Sequence, residues 1–170
     1  SCRILRNAGA RDLEQLPPFQ HASFTCAGIP MRISRTGFTG DLGYELWFDP
    51  AQAVTVWDLL LEAGSNHGLQ PIGALALDIA RIEAGFIQAG VDFVPAEQVV
   101  RPDRARSPFE LGLGRFVDFR KPHFNGRRAL LAEQQRGSRH RLVLLDVEGS
   151  HPARDAFIYS RAHRLVGTVT

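Results

Sequence analysis

The sequence predicts an α+β chain: a first unit built from a hairpin and helices, then the start of a small antiparallel β unit. Three observations carry this. Strand-length apolar runs are separated by glycine-rich turns, two longer stretches carry apolar residues at helical spacing, and a polar, proline-punctuated stretch divides them from a second set of short apolar runs.

The elements follow in order. Ile29 to Arg35 reads as a strand, Thr36 to Gly43 as a glycine-punctuated turn and Tyr44 to Phe48 as the returning strand of a hairpin. Asp49 and Pro50 supply an N-cap and a first-turn proline, and Val54, Trp57, Leu60 and Leu61 recur at helical spacing as far as Gly64. That stripe is expected to pack on the hairpin. A second helix follows Pro71 and runs to about Gly85; it is apolar almost all round, which marks a buried element, and its only charged residues are Asp78, Arg81 and Glu83. Residues 96–110 read as a linker containing Arg101, Arg104 and Arg106, so units at 1–95 and 111–170 are expected on either side. In the second unit Leu111 to Phe119 reads as a strand, and Asn125 caps a short helix ending near Gly137. Arg141 to Val147, Ala156 to Ser160 and Leu165 to Val169 read as short strands broken by Gly149, Pro152 and the stretch Arg161 to Arg164.

The 170 residues are 44% hydrophobic and 22% charged, an ordinary globular composition with no apolar run long enough to span a bilayer. The 20 Lys and Arg against 18 Asp and Glu leave a net charge of +2, too little to suggest nucleic acid or an anionic membrane surface as a partner. Cys2 and Cys26 suggest two reduced thiols in a cytoplasmic protein, and no metal-ligand spacing is present. The chain begins Ser1-Cys2-Arg3 and stops at Thr170 within a strand-like run, so a piece of a longer protein is expected.

Two residues stand out as candidates for chemistry. A guanidinium on an apolar helix costs several kcal/mol of desolvation unless it is paired or faces a polar cavity. Arg81 therefore either pairs with Asp78, three residues earlier, or with Glu83, or else is presented to a ligand with Asp78 fixing its orientation. Glu45 stands in a strand directly after the glycine-rich turn, as a solvent-facing residue or as an acceptor at the mouth of a pocket. Gly37, Gly40 and Gly43 form no dinucleotide fingerprint, and Ser107, Ser138, Ser150 and Ser160 lack the context of an elbow nucleophile. The histidines at 21, 67, 123, 140, 151 and 163 read as surface or loop residues.

Four collinear segments carry a resemblance. Arg35-Thr36-Gly37-Phe38-Thr39-Gly40-Asp41-Leu42-Gly43-Tyr44-Glu45 is similar to the "R-T-G-Y-T-G-E-x-G-[FY]-E" segment of the glycine cleavage system T-protein (aminomethyltransferase) family. Leu77 to Gly85 resembles its "R-D-x-L-R-L-E-A-G", Ser107 to Gly114 its "T-P-x-E-A-G-L-G" and Phe124 to Leu130 its "F-I-G-R-E-A-L". The departures are Phe38 in place of a tyrosine, Leu77 in place of an arginine and Ala89 in place of a tyrosine. The resemblance implies a central to C-terminal fragment: part of a ferredoxin-like, folate-binding aminomethyltransferase subdomain, then the truncated start of a C-terminal β-barrel domain.

It also implies a transferase passing an aminomethyl or methyl-derived unit from a small donor to tetrahydrofolate, with a lipoyl carrier protein as a partner of the aminomethyl reaction. Glu45, Arg81, Phe38 and Tyr44 fall at the cofactor-binding positions that it implies. The family's catalytic aspartate falls upstream of the matched region, so no catalytic residue is assigned and the fragment is expected to be inactive alone. Two other readings compete: a non-catalytic folate-binding protein of iron–sulfur assembly, whose "K-G-C-Y-x-G-Q" is here Lys121 to Arg127 without the cysteine, and the folate-binding half of a sarcosine or dimethylglycine dehydrogenase-like flavoenzyme.

Overall fold

The structure is a computed structural model and describes residues 1–149, 151 and 153–170. Ser150, and Pro152 with the strand break read there, lie outside the described residues. Helix and small antiparallel sheets are mixed, as the sequence predicts, and the chain divides into two compact units, Ser1–Phe86 and Ile87–Thr170. The stretch 96–110, which the sequence reads as a linker, lies inside the second of them.

The first unit holds helix α1 (Cys2–Asn7), strands β1 (His21–Cys26), β2 (Ile29–Ser34) and β3 (Glu45–Trp47), and helices α2 (Ala53–Gly64) and α3 (Ala74–Glu83). The strands form one antiparallel sheet in the order β1-β2-β3, with His21 opposite Ser34, Cys26 opposite Ile29 and Ser34 opposite Glu45. The predicted hairpin is β2 and β3. Strand β1 was not read from the sequence, for a local reason. It joins β2 through Ala27 and Gly28, both at positive φ (47° and 81°), the geometry of a type I′ hairpin turn. Such turns favour Asn-Gly, and an alanine at the first position gives no sequence signal.

Because side chains alternate across a strand, Cys26, Ile29, Met31 and Ile33 enter the core on one face of the sheet. There they meet Leu5 of α1, Leu13, Leu16 and Val56 of α2. Asp49 accepts a hydrogen bond from the Ala51 amide at 2.9 Å and starts the turn that leads into α2, as expected. The buried face of α2 coincides with the predicted stripe only in part. Val56 is buried, with Leu59 and Leu60 packed beside it, whereas Val54 and Trp57 are exposed. A helix apolar on both sides leaves its phase to its tertiary partners.

A second correction concerns α3, which the sequence marks as buried. Leu75 and Ile79 are 81% and 60% exposed, and Arg81 is the buried residue of the helix. Composition identifies surface suited to burial, but only a packed neighbour buries it.

The second unit contains α4 (Arg127–Arg136) and the antiparallel pair β4 (Phe157–Tyr159) and β5 (Leu165–Thr168). The cap position of α4 is Gly126, not Asn125. Neither Leu111 to Phe119 nor Arg141 to Val147 forms a strand. In the first case a local motif takes the chain elsewhere. The Ser107 hydroxyl accepts from the Glu110 amide while the Glu110 carboxylate accepts from the Ser107 amide, each at 3.2 Å, a reciprocal capping box that closes a turn. Glu110 also accepts from the His140 amide, and its carbonyl from the Leu142 amide, so segment 140–142 is tied to this turn.

Candidate functional site

The face of the β1-β2-β3 sheet opposite the core is open and mixes polar with aromatic side chains. The pairing puts His21, Ser34 and Glu45 in one row across it and Ser23, Arg32 and Trp47 in the next. With Phe19, Thr25 and Thr36 these residues line a concavity of about 860 Å³. It offers a carboxylate, a guanidinium, several hydroxyls and the exposed rings of Trp47 and Phe19.

Glu45 is exposed at the start of β3, on this face. Thr36, just beyond the end of β2, donates a hydrogen bond from Oγ1 to Glu45 Oε2. The Ser34 hydroxyl lies 2.8 Å from Thr36 Oγ1 and 3.4 Å from the same carboxylate oxygen. With the Thr36 proton on the carboxylate, the better-placed Ser34 hydrogen bond runs to Thr36, giving a relay Ser34 to Thr36 to Glu45. Neither Thr36 nor Ser34 was singled out from the sequence. The available signal was parity: residues 34 and 36 share a face in an extended chain, and a hairpin returns residue 45 opposite them.

Tyr44 precedes Glu45 and takes the opposite side, packing against the core. Burial pushes its hydroxyl pKa up, and the nearby Cys2 thiol adds to the shift.

The other candidates converge on the end of α3. Arg81 Nε donates to Asp78 Oδ1 at 2.7 Å and Nη1 to the Phe86 carbonyl at 3.2 Å, with a side chain only 3% exposed. Of the pairings open from the sequence, the structure contains the one with Asp78. Phe86 stacks on Phe38 with ring centroids 5.5 Å apart and planes 11° from parallel. At the tip of the same loop Gly40 has φ +82°, and a Cβ there would lie 2.7 Å from that of Ala84. The glycine is required twice, by its backbone conformation and by the approach of Ala84. The two sequence segments that hold Glu45 and Arg81 are thus packed together through Phe38 and Gly40.

Among the described residues no group of three or more His, Cys, Asp or Glu could hold a metal ion. No helix among them is long and apolar enough to cross a membrane.

A sheet with one core face and one open concave face, bearing an exposed carboxylate held by hydroxyls, defines an α+β domain with a candidate site on that face. The sequence profile of the GCVT N-terminal domain matches residues 1–121, and the chain belongs to that family. The aminomethyltransferase of Halothermothrix orenii is 37% identical over the whole chain, which covers 45% of that protein, and that of Moorella thermoacetica is 37% identical over 98% of the chain and 43% of its own length. A trimethylamine-oxide aldolase of Ruegeria pomeroyi is 44% identical over 72% of the chain but only 15% of its own length. The chain spans less than half the length of these relatives.

Proposed function

We propose that this chain forms the folate-binding part of a one-carbon transferase. The enzyme would pass an aminomethyl or methyl-derived unit from a small donor, in the aminomethyl case carried by a lipoyl protein, to tetrahydrofolate. The carrying observation is Glu45, a carboxylate exposed at the edge of an open concavity with no donor on Oε1 among the described residues. A pterin presents a ring N–H beside an exocyclic amine, and a carboxylate accepts both. Each such charge-assisted hydrogen bond contributes about 1.5–3 kcal/mol. The rings of Trp47 and Phe19 give a flat heterocycle apolar surface, so the residues fit the group. Tetrahydrofolate, when bound, supplies the nitrogen that accepts the one-carbon unit.

Arg81 and Phe38 are the further folate-site residues of this reading. Since the Arg81 side chain is almost fully buried, it acts by fixing Phe86 and, through the stacked rings, Phe38. Tyr44 supports Glu45 from the core side. No residue of the chain is assigned as general base, and the pair β4 and β5 begins the small C-terminal barrel.

Calorimetric titration of the full-length gene product with a stable reduced folate tests the proposal. Glu45→Ala is expected to abolish binding and Arg81→Gln to weaken it, in variants that keep the melting profile of the unsubstituted protein. Full-strength binding in both, or none in the unsubstituted protein, overturns it. A second reading rests on the trimethylamine-oxide aldolase match, in which this chain would be the folate-binding portion of a much longer demethylating enzyme. The length of the gene and turnover of N-methyl donors against aminomethyl donors separate the two.

A further inference from the structure

Glu45 has an unequal pair of oxygens. Oε2 is the acceptor of Thr36 and lies within reach of Ser34, whereas among the described residues no donor reaches Oε1. An exposed carboxylate on a strand ordinarily samples several rotamers, and a ligand must freeze one of them at a cost of about 0.5–1.5 kcal/mol per immobilised side chain. A hydroxyl bonded to one oxygen meets that cost in advance. Thr36 is suited to this because its β-branched side chain has few χ1 states, and its own oxygen lies 2.8 Å from the Ser34 hydroxyl. The pairing of Ser34 with Glu45 brings the three side chains together, and Thr36 follows one alternation later on the same face.

From this we infer that Thr36 is a positioning residue for ligand capture, with Ser34 its support. Its hydroxyl holds the Glu45 carboxylate by one oxygen, in an orientation that leaves the other open to a paired N–H donor. The ligand class is a heterocycle with an amine and a ring N–H side by side. This inference rests on the proposed role of Glu45 as the group that receives the pterin edge, and goes beyond it in naming what sets that carboxylate's geometry.

The test is a double-mutant cycle read by calorimetric titration of the full-length gene product with a stable reduced folate. Thr36→Val removes the hydroxyl at nearly constant volume and is expected to weaken binding about tenfold, equivalent to about 1.4 kcal/mol. Thr36→Ser restores the hydroxyl and is expected to bind within about threefold of the unsubstituted protein. Ser34→Ala leaves the bond from Thr36 to Glu45 in place and should cost less than Thr36→Val. In a Glu45→Gln background, Thr36→Val is expected to add less than about twofold, because the hydroxyl acts through the carboxylate.

Thermal melting of each variant separates loss of fold from loss of binding, and a general structural role for Thr36 would move the melting point without this coupling. Unchanged affinity in Thr36→Val, while Glu45→Gln binds poorly, overturns the positioning role and leaves the proposed role of Glu45 standing. An equal loss from Thr36→Val in both backgrounds also overturns it, since the hydroxyl would then act independently of Glu45. Full-strength binding in Glu45→Gln overturns the pterin reading, and the positioning role with it.

Discussion

Replacing Gly40 by alanine tests the packing between the loop and the end of α3. Two destabilising terms come from the structure, and one smaller offset comes from the unfolded chain. At φ +82° an L-residue pays about 1–2 kcal/mol for its Cβ, partly offset by about 0.4–1 kcal/mol from the reduced freedom of the unfolded chain. The added methyl would lie 2.7 Å from the Ala84 Cβ, roughly 1 Å inside the favourable separation of two carbons. Overpacking of that kind costs about 1–3 kcal/mol. The total is about 3 kcal/mol, enough to lower the melting midpoint of the first unit by about 10 °C or more. The assay is urea unfolding followed by tryptophan fluorescence, which reports on this unit because both tryptophans, Trp47 and Trp57, belong to it. The two terms separate in the double variant Gly40→Ala with Ala84→Gly. Removing the Ala84 methyl relieves the clash and leaves the backbone strain, so the pair should couple by about 1–2 kcal/mol. A loss below about 0.5 kcal/mol in Gly40→Ala, or additivity in the double variant, would refute the account.

Two further outcomes are expected. Ala27→Asn or Ala27→Gly should stabilise the protein by about 0.5–1 kcal/mol, since both suit the positive φ of 47° better than alanine; urea midpoints check it, and a destabilised Ala27→Gly would mean that the turn is not type I′. Burial alone would raise the pKa of Glu133, but hydrogen bonds from the Ser107 and Ser138 hydroxyls, each 2.6 Å, and the charge of Arg136 hold it below the ordinary carboxylate value. A depressed folded pKa stabilises fully above the unfolded value and is lost as pH falls through the lower folded one. Stability measured down to about pH 2.5 should therefore decline less steeply in Glu133→Gln than in the unsubstituted protein, and an identical acid limb would contradict the assignment.

Local signals carried much of the fold. The hairpin of β2 and β3, the Asp49 start leading to α2, and the strand pair β4 and β5 all follow from alternation, helical spacing and turn residues. Part of what escaped depends on information not local to the residues concerned. The phase of α2 is decided by α1 and the sheet, and the exposure of Leu75 and Ile79 by the absence of a packed neighbour among the described residues. Leu111 to Phe119 was apolar enough for a strand, but the capping box at Ser107 and Glu110 and the following 3-10 turn at Gly114–Phe116 direct that backbone differently. At the candidate site the exposure of Glu45 was among the readings open from the sequence, whereas its bonds to Thr36 and Ser34 needed the strand register.

The alternation around β3 assigns neighbouring residues to different tasks. Tyr44 and Leu46 pack against the core, while Glu45 and Trp47 line the concavity. Substitutions at the even positions should be felt as stability and those at the odd positions as affinity, within four consecutive residues. Such interleaving lets ligand preference drift at the odd positions while the even ones hold the sheet in register. A family built this way could change what it receives without having to fold anew.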